Sequence, residues 1–252
     1  MRHLLLTILL LSFSVTGFAG AKMRADYTDY CQDATAKLCA RMNGTEITGD
    51  TLVDLSPNAL MGTITAKSVV TGKEGTALDF VDASDTKVYY GDTTTIDGET
   101  ELSICAWIKL DALNVGRNIV SKWGNTTALQ SFIFSVDPGA SDELRYAFYN
   151  GSTYLVVDST NANLTTDTWC HACVTYKANQ DIDMYLNGEA LTVSVGSANN
   201  ITSVRNSTGP LVIGHIASSS TDGINGIIDE VLIIAKQLTP TEILDIYTNG
   251  LK

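Results

Sequence analysis

The sequence predicts an all-β fold, a sandwich or barrel with one short helix at its C-terminal end, and three observations carry that expectation. Charged residues make up only 17% of the 252 residues, while Thr, Ser, Gly, Asn and β-branched types abound; such a mix favours strands and turns over helices. Short strand-like runs recur between turn signals: LSICAWIKL (102–110), SFIFSV (131–136), LRYAFYN (144–150), YLVVDS (154–159), CHACVTY (170–176), DIDMYLNGEALTVSV (181–195) and PLVIGHI (210–216). Their number and spacing suit two packed sheets or a closed barrel. Only LTPTEILDIYTNG, residues 238–250, reads as a helix.

Each element has a local reason. Asn187-Gly188 lies between two strand-like runs and supplies the two left-handed residues of a type I′ hairpin turn. In the helix, Thr239 is placed to cap, Pro240 suits the first helical position, and Glu242 completes a capping box. Ile243, Ile246 and Tyr247 then form an apolar stripe that Gly250 closes. No linker or low-complexity break interrupts the chain after about residue 36, so residues 37–252 read as one domain.

The N-terminal residues MRHLLLTILLLSFSVTGFAGA place Arg2 and His3 before an apolar run and end in small residues. This pattern predicts a secretory signal peptide over residues 1–21, with Ser12, Ser14 and Thr16 interrupting the run too early for a membrane span. Residues 22–36, with Tyr27 and Tyr30, form an arm ahead of the domain that can clasp a neighbour or pack on its own sandwich. The net charge of −12, without a Lys/Arg cluster, excludes nucleic acid as a partner class.

Export places the five cysteines, Cys31, Cys39, Cys105, Cys170 and Cys173, in an oxidising compartment, where an odd count leaves one over. Cys170 and Cys173 form a C-x-x-C on a strand, so their side chains point to opposite faces with Cα atoms about 10 Å apart. They therefore cannot pair with each other or share a metal. Cys31 and Cys39 are the nearest remaining pair, and a bridge between them requires the chain to turn back, since one helix would separate them by about 12 Å. N-x-S/T sequons at Asn43, Asn125, Asn150, Asn163, Asn200 and Asn206 are candidate glycosylation sites.

The order ALDF (77–80), LSICAWIKL, NIVSKWG (118–124), WCHACVTY (169–176), MYLNGE (184–189), LVIGH (211–215) and GIIDEVLIIAKQLTPTEILDIY (226–247) resembles the laminin-G-like, concanavalin A-type jelly-roll family. LVDLSPNALMGTI (52–64) is similar to that family's first D-x-S-x-N-x-x-G segment. The resemblance implies a two-sheet antiparallel jelly-roll sandwich. A more distant resemblance to the pentraxins, whose equivalent strands carry one bridged cysteine each, implies a Cys105–Cys173 disulfide. It leaves Cys170 without an assigned partner.

The same resemblance implies a structural calcium ion at Asp54 and Asp229, oxygen ligands that suit this cation. Jelly rolls of this broad class include glycoside hydrolases with a strand bearing E-x-D-x-x-E, and no such pair occurs here. His171 and His215 stand at framework positions, so no Ser/His/Asp triad is evident and an enzyme is not expected. Trp107 and Trp169 also coincide with framework positions, whereas Trp123, beside the loop GNTT, and Asp222 are ligand-binding candidates. Two functions follow: a secreted module that recognises glycans or another extracellular surface ligand through loops 111–128 and 216–226, or a subunit that assembles with copies of itself.

Overall fold

The computed structural model describes residues 28–252 except 114–116, 138–141, 181, 196–200 and 218–221; the expected signal peptide, Tyr27 and Asn200 lie outside the described residues. The strands, numbered β1 to β18 in chain order, form two antiparallel sheets. The first runs β15 (Glu189–Ala190), β14 (Asp183–Leu186), β13 (Trp169–Lys177), β8 (Glu101–Leu110), β18 (Gly226–Ile234), β6 (Thr76–Phe80) and β5 (Val69–Thr71), with β1 (Ala36–Ala40) also paired to β18. The second runs β16 (Val193–Val195), β12 (Tyr154–Ser159), β11 (Leu144–Tyr149), β10 (Phe132–Val136), β9 (Arg117–Lys122), β17 (Leu211–Ile213), β7 (Lys87–Gly91), β4 (Met61–Thr65), β3 (Thr51–Val53) and β2 (Ile47–Thr48). Between them lies a core that includes Phe80, Ile104, Ile108, Phe134, Phe148 and Ile228.

A second apolar cluster explains why the first sheet reads as continuous hydrophobic sequence. The helix α1 (Pro240–Asn249) buries Ile243 and Ile246 against Cys39, Cys105, Cys173 and Leu232, so β8, β13 and β18 are covered on both faces. Thr239 caps the helix with the expected reciprocal box to Glu242. The hairpin before it turns at Asn187 and Gly188, with φ of 53° and 84°. A Cβ on Gly188 would lie 2.9 Å from Leu244 Cδ1, so glycine serves both the turn and the approach of the helix.

Strand parity separates the two cysteines of WCHACVTY. Cys173 faces the helix and is joined to Cys105, its direct cross-strand neighbour, with Cα atoms 4.2 Å apart. Cys170 faces the inter-sheet core, is buried and unbridged, and burial pushes its thiol pKa up. Residues 28–36 differ from a free arm. The chain turns back to join Cys31 to Cys39, the Tyr30 N–H donates to the Leu251 carbonyl at 2.9 Å, and the Tyr30 hydroxyl donates to Asp245 at 3.1 Å. The physical reason is the apolar surface that β1 and α1 offer to Tyr30, which is only 2% exposed.

Asp54 and Asp229 are both buried, and both collect backbone N–H donors. Asp54 accepts from the N–H groups of Cys39 (2.7 Å), Ser56 (2.8 Å) and Leu60 (3.0 Å). Asp229 accepts from those of Lys73 (2.9 Å), Glu74 (3.0 Å) and Glu230 (2.9 Å). N–H donors take most of the lone pairs that a calcium ion would need, and among the described residues neither carboxylate belongs to a cluster of three or more His, Cys, Asp or Glu side chains placed to hold a metal. The donor set does not fit the implied ion. These carboxylates instead tie turns to the sheets, 54–60 to β1 and 72–75 to β18. Burial pushes Asp229 up to about 7, and its neighbour Glu230, at φ 50° in a bulge of β18 and paired with Arg41, up to about 6.

Two outcomes follow for stability. The melting temperature is expected to be the same with EDTA and with added Ca2+; a calcium-dependent rise, at roughly 2–4 °C per kcal/mol of binding energy, would contradict the N–H occupancy. His171, its ring tilted against Trp107 with centroids 5.2 Å apart, is held down to about 3 by burial, with Lys73 adding to the effect. A histidine whose folded pKa is depressed contributes stability above its unfolded value near 6.5 and loses it as pH falls below, by about 1.4 kcal/mol per pH unit. Thermal melts from pH 7 to pH 4.5 should therefore fall more steeply for the native chain than for His171→Phe, which keeps the ring contact; parallel curves would contradict this.

Candidate functional site

The helix covers the outer face of the first sheet and leaves that of the second open. On β11 the core takes Leu144, Tyr146 and Phe148, so Arg145, Ala147 and Tyr149 point outward. They stand opposite Asp158, Val156 and Tyr154 of β12. On β10, Ile133 and Ser135 share that face. One side is walled by residues 215–216 and 222–223, which lie against β9. Ser121 Oγ donates to the His215 carbonyl at 2.7 Å, Asn118 Nδ2 donates to the Asp222 carbonyl, and Asn118 bridges to Gly223. The result is a groove of about 240 Å³, lined among others by Arg117, Asn118, Ser135, Arg145, Ala147 and Asp222.

Donors and acceptors meet in this groove with a surplus of negative charge. Arg145 pairs with Asp158 at 2.6 Å and with Asp137 at 2.8 Å, leaving an exposed Asp222 on the wall. Arg117 is 1% exposed; its Nε donates to the Ala112 carbonyl at 2.9 Å, and its two terminal nitrogens have no hydrogen-bond partner. Burial lowers its pKa, and the carboxylates of Asp142, Asp82 and Asp111 oppose that shift. Two guanidinium groups thus sit among six aspartates, which disfavours an anionic ligand and suits a neutral one that both donates and accepts.

At the far end of β11 the same face becomes aromatic. Tyr149 and Tyr154 stack with centroids 4.5 Å apart, Trp123 tilts against Tyr154 at 5.9 Å, and Arg205 lies 5.1 Å from the Tyr149 ring on its guanidinium side. Beneath Trp123, the fully buried Lys122 binds Asp92 at 2.8 Å and the carbonyls of Thr93 (3.2 Å) and Gly209 (3.0 Å), fixing two loops around the end of β9.

The two residues singled out for ligand binding, Trp123 and Asp222, therefore lie on one face but at opposite ends of it. Sequence reasoning missed Arg145, Tyr149 and Tyr154, although the outward alternation of LRYAFY against YLVVDS carries them once the register is known. Trp107 is 4% exposed under the Lys73 ammonium, 4.1 Å away, while Trp169 is only partly buried. Of the sequons, Asn125, Asn163 and Asn206 are exposed, whereas Asn43 accepts from the Thr76 N–H and Asn150 from the N–H groups of Ser152 and Thr153.

Among the described residues no catalytic constellation accompanies the groove. His215 is buried, its Nε2 lies 3.4 Å from Asp82 and 3.6 Å from Asp85, and Ser121 contacts its backbone rather than its ring. A larger concavity of about 640 Å³, lined by Arg41, Asn43, Glu46 and Glu74 among others, adjoins Asp229 and Glu230, but neither of those carboxyls lines it. The His171 ring does lie beside the Cys105 and Cys173 sulfurs, but the disulfide joins the two sulfurs to each other and leaves neither as a thiolate ligand.

Solved structures with this architecture include toxin binding domains and a domain of a polysaccharide-degrading enzyme. The binding domain of Paraclostridial Mosquitocidal Protein 1 superposes with a TM-score of 0.66 at 14% identity, covering 84% of this chain and 52% of that one. Domain 4 of AbnA, a GH43 extracellular arabinanase from Geobacillus stearothermophilus solved in complex with arabinotriose, gives 0.63 at 18% identity, covering 84% of this chain and 99% of that one. The binding domain of botulinum neurotoxin DC, in complex with rat synaptotagmin II, gives 0.64 at 16%, covering 86% and 52%. The chain thus spans about half the length of the toxin binding domains it matches, and at these identities the likeness concerns the fold. No curated protein matches the chain in sequence. The profile of the concanavalin A-like lectin/glucanases superfamily, in its laminin G type, matches residues 82–244, well over half of the chain, and the chain belongs to that family.

Proposed function

We propose that the chain is a secreted, non-enzymatic recognition module that binds neutral carbohydrate in the groove on the outer face of the second sheet. The observation that carries this reading is the groove's mixed lining: Arg117 and Arg145, the Asn118 amide and Ser135 hydroxyl, and aspartates in excess over arginines. A sugar hydroxyl donates to one such group while accepting from another, and burial of a preformed polar groove makes an unmatched partner costly. The arabinotriose complex of the AbnA domain agrees with this class of ligand. Two disulfides and the apolar N-terminal segment support export to an oxidising compartment. The packing of Tyr30 on its own helix and the burial of Cys170 favour this reading over self-assembly.

Native electrophoresis through gels containing arabinan, xylan, mannan, β-glucan or the acidic polysaccharide alginate tests the reading. At least one neutral polysaccharide should retard the protein, and Ala147→Trp, which fills the groove from an outward position, should weaken that retardation at least about tenfold. Retardation by alginate alone, or an unchanged Ala147→Trp, would refute it.

A further inference from the structure

The groove is one end of a longer strip. Along β11 the outward residues run Arg145, Ala147, Tyr149, and along β12 they run Asp158, Val156, Tyr154, so polar, aliphatic and aromatic rows follow one another across both strands. Four residues of strand separate Arg145 from Tyr149, a span of about 13 Å, longer than one sugar ring. The rows are open: Tyr154 is 49% and Val156 36% exposed, two of the seven large hydrophobic side chains that stand so far out of the surface among the described residues. Exposed apolar side chains gathered in one place mark a contact surface, while single ones need no explanation.

The aromatic end is also held rigid. Arg205 donates to the carbonyls of Thr127 and Gln130 while lying beside Tyr149, and the Tyr154 hydroxyl donates to Gln130 Oε1. These bonds fix the Tyr149–Tyr154 stack, so a ligand meeting Tyr154 does not have to order the ring. The Tyr149 side of Tyr154 is taken by the stack, and Trp123 stands at an angle beside it.

Resting on the carbohydrate reading above, we infer that the strip from Arg145 to Tyr154 and Trp123 binds an internal stretch of a linear neutral glycan, with C–H faces of successive sugars over Val156 and the rings and hydroxyls of the last sugar in the polar groove. The ligand class is a polysaccharide chain, not a terminal monosaccharide. Tyr154 and Trp123 set how many sugars are engaged; the groove sets which hydroxyls are accepted.

Calorimetric titration with ladders of arabino-, xylo-, manno- and cello-oligosaccharides of one to six units tests this, using the native chain, Tyr154→Ala, Trp123→Ala and Ala147→Trp, each checked for an unchanged melting temperature. For the ladder that binds, affinity should rise at least about tenfold from the shortest binder to about four units and then level off. Tyr154→Ala and Trp123→Ala should abolish that rise while leaving the shortest binder's affinity unaltered. Should length have no effect, or should Tyr154→Ala weaken short and long ligands equally, the extended strip is wrong though the groove stands. If no ladder binds, or if Ala147→Trp binds every ladder as the native chain does, the carbohydrate reading itself falls and the strip with it.

Discussion

The packing of Ile243 and Ile246 onto the Cys105–Cys173 bridge determines what each side of the sandwich is for. A sheet with one face on the core must put its other face somewhere, and here the capped C-terminal helix covers the outer face of the first sheet. Strands β8, β13 and β18 become buried on both faces and read as nearly unbroken apolar runs. Among the described residues the second sheet has no such cover. Its outward positions are free to carry chemistry, and there the chain places arginine–aspartate pairs, an amide and exposed aromatics.

The groove depends on that asymmetry through the chain between β17 and β18. Within it the His215 and Asp222 carbonyls are pinned to β9 by Ser121 and Asn118, making a wall on that face. Lys122 does the equivalent at the opposite end of β9. A cation with no exposure, it is stabilised by Asp92 and two carbonyls. One strand thereby organises both ends of the candidate surface, the polar groove through Asn118 and the aromatic end through Lys122.

Local features were legible in the sequence and long-range ones were not. Asn187-Gly188 and the Thr239-Glu242 box depend on a few adjacent residues, and strand parity alone sends Cys170 and Cys173 to opposite faces. The fold class followed from such features together with the ordered landmarks. The return of Tyr30 onto residues 245 and 251 joins the two ends of the chain and has no local signature. Glu230 enters left-handed backbone in a β18 bulge, which shifts the register around it. The Asp54 and Asp229 carboxylates looked like ligands for an ion because oxygen-rich side chains suit calcium; only the fold reveals that N–H groups reach them first. Tyr149 and Tyr154 become one platform only when β11 and β12 pair in register.

The central claim is that ligand binds the uncovered face of the second sheet. Hydrogen–deuterium exchange, with and without a saturating concentration of the longest oligosaccharide bound from the arabinan, xylan, mannan or cellulose ladders, locates the contact directly. New protection is expected in 132–136, 144–149 and 154–159 and in the wall around 222–225, with the helix 240–249 unchanged. Protection confined to the concavity around 41–46 and 74–76, or to the helix side, would contradict the account.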